Sequence, residues 1–487
     1  MKKVKKNLVA RTVIIILLVF IAAISVYWTK TQKEKPVCSR CNVVLVDIDI
    51  LRADALPCYG YSRNTAPSIC ALAQKSQFFI DNYAQSNWTL PSFISTITSL
   101  YPLSHGVQKT YKDELRPNVP TLAQTLKNFG YKTYFFGPKT PSVMNDTNGG
   151  TKGYDVTQNI DVDRWAETLR GLLASEQRFF AHFYSIDLHM PYRLKSESQI
   201  IEKMERPVGF PITHEEFSSL VSKYLYQNYK EVFTPTAIKE RPDIFTPTGP
   251  SSAKSLADYY WRLIETPDAT KITDVGWPAQ YDTYLKEIKK DEQKTRPYVR
   301  LLYDSVLALI DKKIAPSLEA ILSKDIPAQT LIVFYSDHGE EFGERGRYGH
   351  PYSLYNEIIK TPLLIYVPGV KPHAITGVSE NIDIFPTILS LVGVRPPLGI
   401  QGSSLLPFIT NNDLRNQSVA ISQANTNMFS IYNGTWKLII NNISAPQKDA
   451  ELYNTTNDYG EKNNVFSSSP DVGNALLTEL LSKISSK

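Results

Sequence analysis

Nearly continuous apolar runs recur along the first four fifths of the chain, separated by polar and turn-forming stretches. Runs of this kind are typical of strands that are buried on both faces, and they cover residues 42–48, 131–136, 178–186, 330–335 and 363–367. Apolar residues at helical spacing lie between them. They predict helices at about residues 66–79, 92–100, 119–129, 298–323 and 383–393. Strands that alternate with helices predict an α/β fold whose central, mostly parallel sheet is flanked by helices.

The pattern changes twice outside this alternation. Residues 193–297 carry many Tyr, Pro and Lys residues with weak periodicity, which is typical of an insertion over one face of a catalytic domain spanning 42–407. After Pro407 the apolar runs become short and turn signals separate them. We therefore expect a small C-terminal antiparallel β subdomain at 408–487.

The N-terminus has the pattern of a membrane anchor. A basic tail, 1–11, precedes an apolar run at 12–28, and a polar tether follows at 29–41. The apolar run could span about 26 Å as a helix. Its basic flank predicts a cytoplasmic tail, so we expect a single-pass protein of the cell membrane with its catalytic domain outside the cytoplasm. A cleaved signal peptide is the alternative, although no small residues mark a cleavage site after the run.

Charge adds little beyond that tail. The net charge is +5, and the five basic residues of 1–11 supply all of it. The rest of the chain is neutral, so we expect no nucleic-acid partner. The Asn87-Trp88-Thr89 glycosylation sequon lies beside a candidate site, which favours a bacterial source or a buried sequon.

Four cysteines lie close together near the start of the predicted catalytic domain, at positions 38, 41, 58 and 70. The Cys38-x-x-Cys41 spacing admits a redox pair or half of a zinc site, but no second pair has metal-ligand spacing. Structural disulfides or free thiols are the simpler interpretation, and the pairing is open.

Candidate chemistry lies at two strand ends and one helix start. Asp49 follows the first predicted strand, and Asp337-His338 follows the strand at 330–335. Sites in such sheets gather at the carboxyl ends of strands, and these ligand types suit one divalent cation such as Ca, Mn, Mg or Zn. Thr89 precedes Pro91 at a predicted helix start, where free N–H groups favour an anionic ester. An ordinary N-cap is the alternative role for Thr89 taken alone.

Ordered motifs over about 42–465 resemble the sulfatase family of the alkaline phosphatase superfamily. In chain order they are Asp49-Ile50-Leu51-Arg52, Thr89-Leu90-Pro91-Ser92, Leu100-Tyr101-Pro102, Gly153-Tyr154-Asp155, Asp187-x-His189, Tyr303-Asp304, Ser336-Asp337-His338-Gly339, Tyr348-Gly349-His350, Asp383 with Pro386, Lys437-Leu438 and Glu451-Leu452-Tyr453. The resemblance implies an alkaline-phosphatase-like fold and metal-dependent cleavage of an anionic ester substrate.

The resemblance also implies roles for individual residues. Thr89 stands at the nucleophile position and, with Asp49, Asp337 and His338, at the metal site. His189 and His350 would hold the ester oxygens or protonate the leaving group. The side chains expected to bind the substrate's charge are Asn87, Arg52 and Lys139.

Three departures limit the resemblance. Sulfatases begin the nucleophile motif with a Cys or Ser that becomes formylglycine, whereas this chain has Thr89. Phe93 replaces the motif's Arg, and Ile50 replaces a second metal-site aspartate. The remaining set resembles the single-metal site of phosphoglycerol and phosphoethanolamine transferases, which use a Thr nucleophile.

The matches to the sulfatase motifs and the three departures from them leave three functions to consider. We expect a membrane-anchored hydrolase of phosphate or sulfate esters that forms a covalent Thr intermediate. The alternatives are a transferase that moves a phospho-headgroup onto an envelope glycan or lipid, and a non-catalytic binding protein with the same fold.

Overall fold

A computed structural model describes residues 37–108, 113–138, 144–189, 292–322, 329–350, 352–411 and 419–485, with a few isolated positions between 239 and 289. The predicted basic tail, membrane anchor and most of the tether lie outside this part of the chain. Lys139 and most of the predicted insertion at 193–297 also lie outside it.

The strands alternate with helices along most of the described chain. The strands are Asn42–Ile48 (β1), Gln77–Tyr83 (β2), Lys132–Phe136 (β3), Val156–Gln158 (β4), Phe179–Ser185 (β5), Phe245–Thr246 (β6), Gly249–Pro250 (β7), Thr330–Tyr335 (β8), Glu341–Phe342 (β9), Tyr348–Gly349 (β10), Leu363–Tyr366 (β11), His373–Glu380 (β12), Ala420–Ala424 (β13), Met428–Tyr432 (β14), Trp436–Ile440 (β15) and Glu451–Asn454 (β16). The α-helices are Pro67–Ala73 (α1), Thr89–Thr98 (α2), Pro102–His105 (α3), Leu122–Asn128 (α4), Trp165–Leu173 (α5), Glu292–Leu322 (α6), Asn356–Ile359 (α7), Ile384–Val392 (α8), Leu406–Asn411 (α9) and Pro470–Ser485 (α10).

Within the described residues, one large sheet has eight strands in the order β12-β2-β11-β8-β1-β5-β3-β4. Strand β11 runs antiparallel to both of its neighbours, and the other pairs in this sheet are parallel. A second sheet is an antiparallel meander in the order β13-β14-β15-β16. The predicted fold class, a mostly parallel α/β sheet with a C-terminal antiparallel sheet, is confirmed.

Helices cover both faces of the large sheet, and the central strand β1 shows why. Its alternate residues Val44, Val46 and Ile48 pack with the layer of α1, α5 and α6. Val43 and Leu45 face the opposite layer, which contains α4 and α8. Because both faces are buried, β1 has the continuous apolar pattern of a central parallel strand.

Three strands of the large sheet, β2, β4 and β12, were not predicted. Strand β4 has three residues, too few to show a hydrophobic period. Helix α1 ends at Ala73, and β2 replaces the end of the helix predicted at 66–79. Phe78, Phe79 and Ile80 continue an apolar pattern that fits both periods, so the hydrophobic pattern alone could not separate helix from strand. Strand β12 has a polar, glycine-containing sequence and an irregularity between Ile375 and Val378, which is typical of a sheet edge.

A buried ion pair beside the second sheet binds the start of α7. Lys437 Nζ on β15 lies 2.7 Å from Glu461 Oε1, and both side chains are inaccessible to solvent. Lys437 also donates to Asn356 Oδ1 at 3.1 Å, and Glu461 Oε2 accepts the Asn356 N–H at 2.6 Å. These contacts fix the start of α7, which follows the loops after β8. The proposed domain boundary at 408 stays a prediction, since α9 spans residues on either side of it.

The cysteines, whose pairing the sequence left open, form two disulfides, Cys38–Cys41 and Cys58–Cys70. Among residues 37–485, as far as they are described, no helix is both long and apolar enough to cross a bilayer. The predicted membrane anchor at 12–28 lies outside that part.

We predict that Lys437→Met lowers the free energy of unfolding by about 3–5 kcal/mol, because it leaves the Glu461 carboxylate buried without its cation. Urea denaturation checks this, with the exposed Lys448→Met as the control, for which the change should stay within about 0.5 kcal/mol. Adding Glu461→Gln to Lys437→Met should restore part of the loss. A single-variant loss below about 1 kcal/mol would contradict a buried, coupled pair.

Candidate active site

The candidate residues meet where two neighbouring strands end. Asp49 follows β1, and Asp337 with His338 follows β8; the two strands are parallel neighbours, with Asp47 opposite Tyr335. Thr89 is the first residue of α2, and its side chain is 6% exposed whereas the three ligand candidates are 1% exposed or less. The parallel pairing therefore places four polar side chains in one buried cluster.

The distances in this cluster suit one metal ion. His338 Nε2 lies 3.2 Å from Thr89 Oγ1 and 3.6 Å from both Asp49 Oδ1 and Asp337 Oδ2. One ligand atom from each of Asp49, Asp337 and His338 lies within 4.8 Å of the others. Two atoms that each lie roughly 2.1 Å from one ion are separated by roughly 3–4 Å, so the spacing fits shared coordination.

Hydrogen bonds orient one oxygen of each carboxylate and leave the other turned inward. Asp49 Oδ2 accepts from the Tyr184 hydroxyl at 3.0 Å. Asp337 Oδ1 accepts the N–H groups of His338 at 2.8 Å and Ile50 at 3.3 Å. Asp49 Oδ1 and Asp337 Oδ2 are buried without a hydrogen-bond partner among the described residues. Two such oxygens facing one imidazole are a donor set for a divalent cation.

His338 is held in the tautomer that a metal requires. Its Nδ1 lies 2.8 Å from the carbonyl oxygen of Gly339, so Nδ1 carries the proton that is donated there. The Nε2 lone pair then faces Asp49 and Asp337. Burial lowers the pKa of His338, which keeps the ring neutral and able to bind a cation.

Burial also changes the acidity of the two carboxyl groups. It raises the pKa of Asp49 to about 7, with a further contribution from the charge of Asp337. Burial likewise raises the pKa of Asp337 to about 7, against the hydrogen bonds that favour its charged form. Two buried carboxylates without a cation repel each other, and a bound divalent ion would remove that cost.

Ile50 shapes the site with its backbone. It has a φ of 55°, a conformation that β-branched residues rarely adopt and that costs about 1–3 kcal/mol. In this conformation its N–H points to Asp337 Oδ1, and its carbonyl accepts from the Tyr303 hydroxyl at 3.0 Å. The Ile50 side chain is buried in the apolar layer against α6 and offers no ligand. The strained residue therefore positions a metal-ligand candidate rather than adding one.

Helix α2 is fastened to the end of β8. The Ser92 hydroxyl donates to the Asp337 carbonyl at 2.5 Å, which places the first turn of the helix against the cluster. Phe93 stacks on His182 with parallel rings 5.0 Å apart, beneath that turn. Phe93, which stands where the resembled motif has Arg, is therefore part of the apolar support of α2.

Two further histidines lie beside the cluster. His350 Nδ1 lies 3.0 Å from the Asn87 carbonyl, and His350 Nε2 lies 3.4 Å from His189 Nε2. The His338 and His350 rings are 4.5 Å apart, and the Trp88 ring meets His350 edge-on at 4.9 Å. Burial lowers the pKa of His350 well below its ordinary value. The structure thus brings His189, His350 and Asn87 to the same side of Thr89.

Arg52, which was predicted to bind substrate, forms hydrogen bonds and ion pairs with other residues of the protein. Its guanidinium donates to both oxygens of Asp54, at 2.8 and 2.6 Å, to Glu344 Oε1 at 2.6 Å and to the Glu340 carbonyl at 2.8 Å. The side chain is buried. Its substrate role stays a prediction, and its observed contacts hold the loop that follows His338.

Sequence reasoning missed Tyr184 and Asp47. Tyr184 lies on β5, next to β1, and its hydroxyl donates a hydrogen bond to the Asp49 carboxylate. No sequence motif indicates this contact. Asp47 is a charged residue inside the apolar run of β1, and this was a signal available in the sequence. The Asn87 side chain donates to the Ser353 carbonyl at 3.2 Å and leaves its oxygen buried without a partner in the described chain.

Comparisons with known proteins agree with this geometry. The family model described as Sulfatase matches residues 41–394. A second model, described as N-sulphoglucosamine sulphohydrolase, C-terminal, matches residues 343–486. Together the two matches cover the large sheet and the C-terminal sheet.

Curated relatives and solved structures cover most of the chain. Arylsulfatase K of Rattus norvegicus is 22% identical over 93% of this chain and 79% of its own length. Choline-sulfatase of Rhizobium meliloti is 24% identical over 82% of this chain and 78% of its own length. A structure in complex with its substrate D-glucosamine-2-N,6-O-disulfate has a TM-score of 0.64 at 18% identity, covering 91% of this chain and 97% of that one. The phosphonate monoester hydrolase of Agrobacterium radiobacter has a TM-score of 0.61 at 19% identity, with 91% and 95% covered.

These findings correct one expectation from the sequence. The similarity to arylsulfatase K over 93% of the chain contradicts the predicted single-pass localisation in the cell membrane, which is therefore wrong. The described residues add no spanning helix in its favour. The basic and apolar N-terminal pattern on which the prediction relied lies outside those residues.

We predict that Mn²⁺ binds the EDTA-treated protein as one ion and that its affinity rises with pH between 6 and 8. The ion must displace protons from Asp49 and Asp337, whose pKa values near 7 are raised by burial. Each displaced proton costs about tenfold in affinity per pH unit below the pKa. Isothermal titration at several pH values measures this, and a pH-independent affinity would contradict the assignment of these carboxylates as ligands.

The same groups should make the metal-free protein lose stability as pH rises. Their pKa values are about 7 when folded, against about 4 when unfolded, so the folded state binds more protons between these pH values. We predict that the melting temperature of the metal-free protein falls as pH rises from about 4 to 7, and that saturating Mn²⁺ weakens or reverses this trend. Thermal denaturation measures both, with Asp337→Asn as a variant in which the Mn²⁺ effect should be lost.

Proposed function

The chain belongs to the sulfatase family, and from this premise we propose that it cleaves sulfate or phosphate esters through a covalent intermediate on Thr89. The family makes it a sulfuric ester hydrolase in class. The observation that carries the finer proposal is the position of Thr89 Oγ1, which lies 3.2 Å from His338 Nε2 at the start of α2.

The Thr89 oxygen is the nucleophile in this proposal. It attacks the sulfur or phosphorus, its proton passes to solvent, and a new bond joins Oγ1 to that atom while the bond to the alcohol oxygen breaks. A divalent cation held by Asp49, Asp337 and His338 would lower the pKa of a hydroxyl beside it and neutralise the charge of the ester. The free N–H groups at the start of α2 favour an anion at the same place.

The leaving alcohol takes its proton from the histidine pair. His350 donates its Nδ1–H to the Asn87 carbonyl, so its Nε2 accepts from the His189 Nε2–H. That arrangement holds His189 with a proton at the edge of the cluster. As an imidazolium, His189 gives its Nδ1 proton to the departing oxygen and becomes a neutral ring that keeps the Nε2–H donated to His350. His350 acts on the reaction by orienting His189.

Water completes the cycle by attacking the sulfur or phosphorus of the intermediate. The Thr89 oxygen then leaves with the electron pair of its ester bond and regains a proton. Thr89 has one hydroxyl on a carbon that cannot form an aldehyde hydrate, so expulsion of sulfate by a second hydroxyl on the same carbon is not available. An intermediate opened in line by water suits a phosphate ester best, and a neighbouring structure is a phosphonate monoester hydrolase.

The alcohol part of the substrate would approach past Trp88. Between Asn82 and Leu100, Trp88 is the one residue that is not buried, and it directly precedes Thr89. The neighbouring structure whose substrate is a disulfated glucosamine makes a sulfated or phosphorylated sugar the first substrate class to test. A transferase would need an acceptor groove. The relatives named arylsulfatase K and choline-sulfatase are hydrolases, so hydrolysis is the function we propose.

We predict that Thr89→Ala lowers kcat/KM by about 10⁴-fold or more, because no other hydroxyl stands in its place. Thr89→Ser should keep measurable turnover. Assays with an aryl sulfate, an aryl phosphate and an aryl phosphate diester check this and show which ester is preferred. Thr98→Ala, on the same helix but outside the cluster, is the matched control. Near-normal turnover by Thr89→Ala would contradict the assignment of Thr89 as the nucleophile.

The histidine roles generate a leaving-group test. We expect His189→Gln to lower kcat by about 10²–10⁴-fold for alkyl esters, which need a proton on the departing oxygen. For 4-nitrophenyl esters the loss should be much smaller, since that oxygen leaves without one. His373→Gln, at a half-buried position on the edge strand β12, serves as control. Equal losses for both ester types would argue that His189 binds the substrate and does not act as an acid.

A further inference from the structure

Asp47 carries a buried carboxylate that the proposed reaction does not use. It lies on the central strand β1, and its side chain is inaccessible to solvent. Neither carboxylate oxygen has a hydrogen-bond partner among the described residues. Val43 and Leu45, at alternate positions before it, pack in an apolar layer. An apolar residue would be expected at this position, and a lone carboxylate there costs several kcal/mol.

The charged surroundings of Asp47 are carboxylates. Asp337 and Asp49 are the charged groups that interact with it, and both repel a negative charge on Asp47. No lysine or arginine in the part of the chain that is described forms an ion pair with it. Tyr335, at the paired position on β8, has a buried hydroxyl that interacts with the Asp47 carboxylate but forms no regular hydrogen bond with it. This hydroxyl is neutral and leaves the carboxylate charge uncompensated. A cation at the neighbouring cluster would be the one positive charge within reach.

We propose that Asp47 is a positioning residue that supplies a third negative charge to the cation site of Asp49, Asp337 and His338 without ligating the ion. The atoms that lie within 4.8 Å of one another belong to those three residues, so Asp47 stands outside the ligand set. Ile50 contributes no carboxylate, and the ligand set itself carries two negative charges. A third charge in a low-dielectric interior strengthens the attraction for a divalent ion. This inference rests on the cation site of the proposed function.

Two neutral variants separate charge from hydrogen bonding. Asp47→Asn keeps the polar shape, and Asp47→Leu replaces it with an apolar side chain that suits the surrounding layer. Both should weaken Mn²⁺ binding by about 10–100-fold while leaving one ion per chain. Asp311→Asn is the matched control, because Asp311 is also buried but caps α1 through the N–H groups of Ser68 and Ile69. Its Mn²⁺ affinity should equal that of the unmodified protein.

The experiment is isothermal titration of Mn²⁺ into the EDTA-treated full chain at pH 8, with circular dichroism to confirm folding of each variant. The metal-free Asp47→Asn protein should melt no lower than the unmodified protein, since a repelling charge has been removed. Similar losses of affinity in the Asn and Leu variants support the proposal. Affinity within twofold of normal in either folded variant overturns it. Absence of Mn²⁺ binding by the unmodified protein would instead remove the cation site on which the proposed function relies.

Discussion

The parallel pairing of β1 and β8 brings buried carboxyl groups together in the interior. The arrangement of the other side chains in the site follows from the need to compensate their negative charge. Asp49 and Asp337 lie at the ends of these strands, both fully buried, and Asp47 lies two residues before Asp49. Carboxylates in such a place are stable when they are protonated or when a cation lies among them. The inward oxygens of Asp49 and Asp337, together with the Nε2 lone pair of His338, supply a place for that cation.

Contacts from the rest of the fold hold this charged cluster beside Thr89. Ser92 ties α2 to the Asp337 carbonyl, and the strained backbone of Ile50 turns an N–H toward the Asp337 carboxylate. Arg52 holds the loop after His338 through the Glu340 carbonyl and the Glu344 carboxylate. Strain of about 1–3 kcal/mol at Ile50 persists because the surrounding contacts determine its conformation. The strain at Ile50 therefore lowers the stability of the fold, and it orients the carboxylate of the candidate ligand Asp337.

Most of the fold and the four residues of the buried cluster could be predicted from the sequence. The contacts that hold these residues in place could not. Asp49, Thr89, Asp337 and His338 could be placed because strand ends and helix starts are readable from apolar runs and proline. Strand β2 could not, since its aromatic residues fit both periods. Arg52 was expected to bind substrate because it belongs to a motif of the sulfatase resemblance. Its ion partners Asp54 and Glu344 could not be predicted, because no sequence pattern indicates which acidic residues contact a given arginine. The contact between the Tyr184 hydroxyl and Asp49 could not be predicted either, because it depends on the pairing of two strands that are far apart in the sequence.

The central claim is that Thr89 forms a covalent ester during turnover, and trapping that ester tests it most directly. The protein would be mixed with an aryl phosphate or aryl sulfate, quenched in acid within milliseconds and digested for peptide mass spectrometry. We expect an added mass of about 80 Da on the peptide that contains Thr89, located on that residue by fragmentation and absent from Thr89→Ala. Turnover without any adduct on Thr89, or an adduct on another residue, would contradict it.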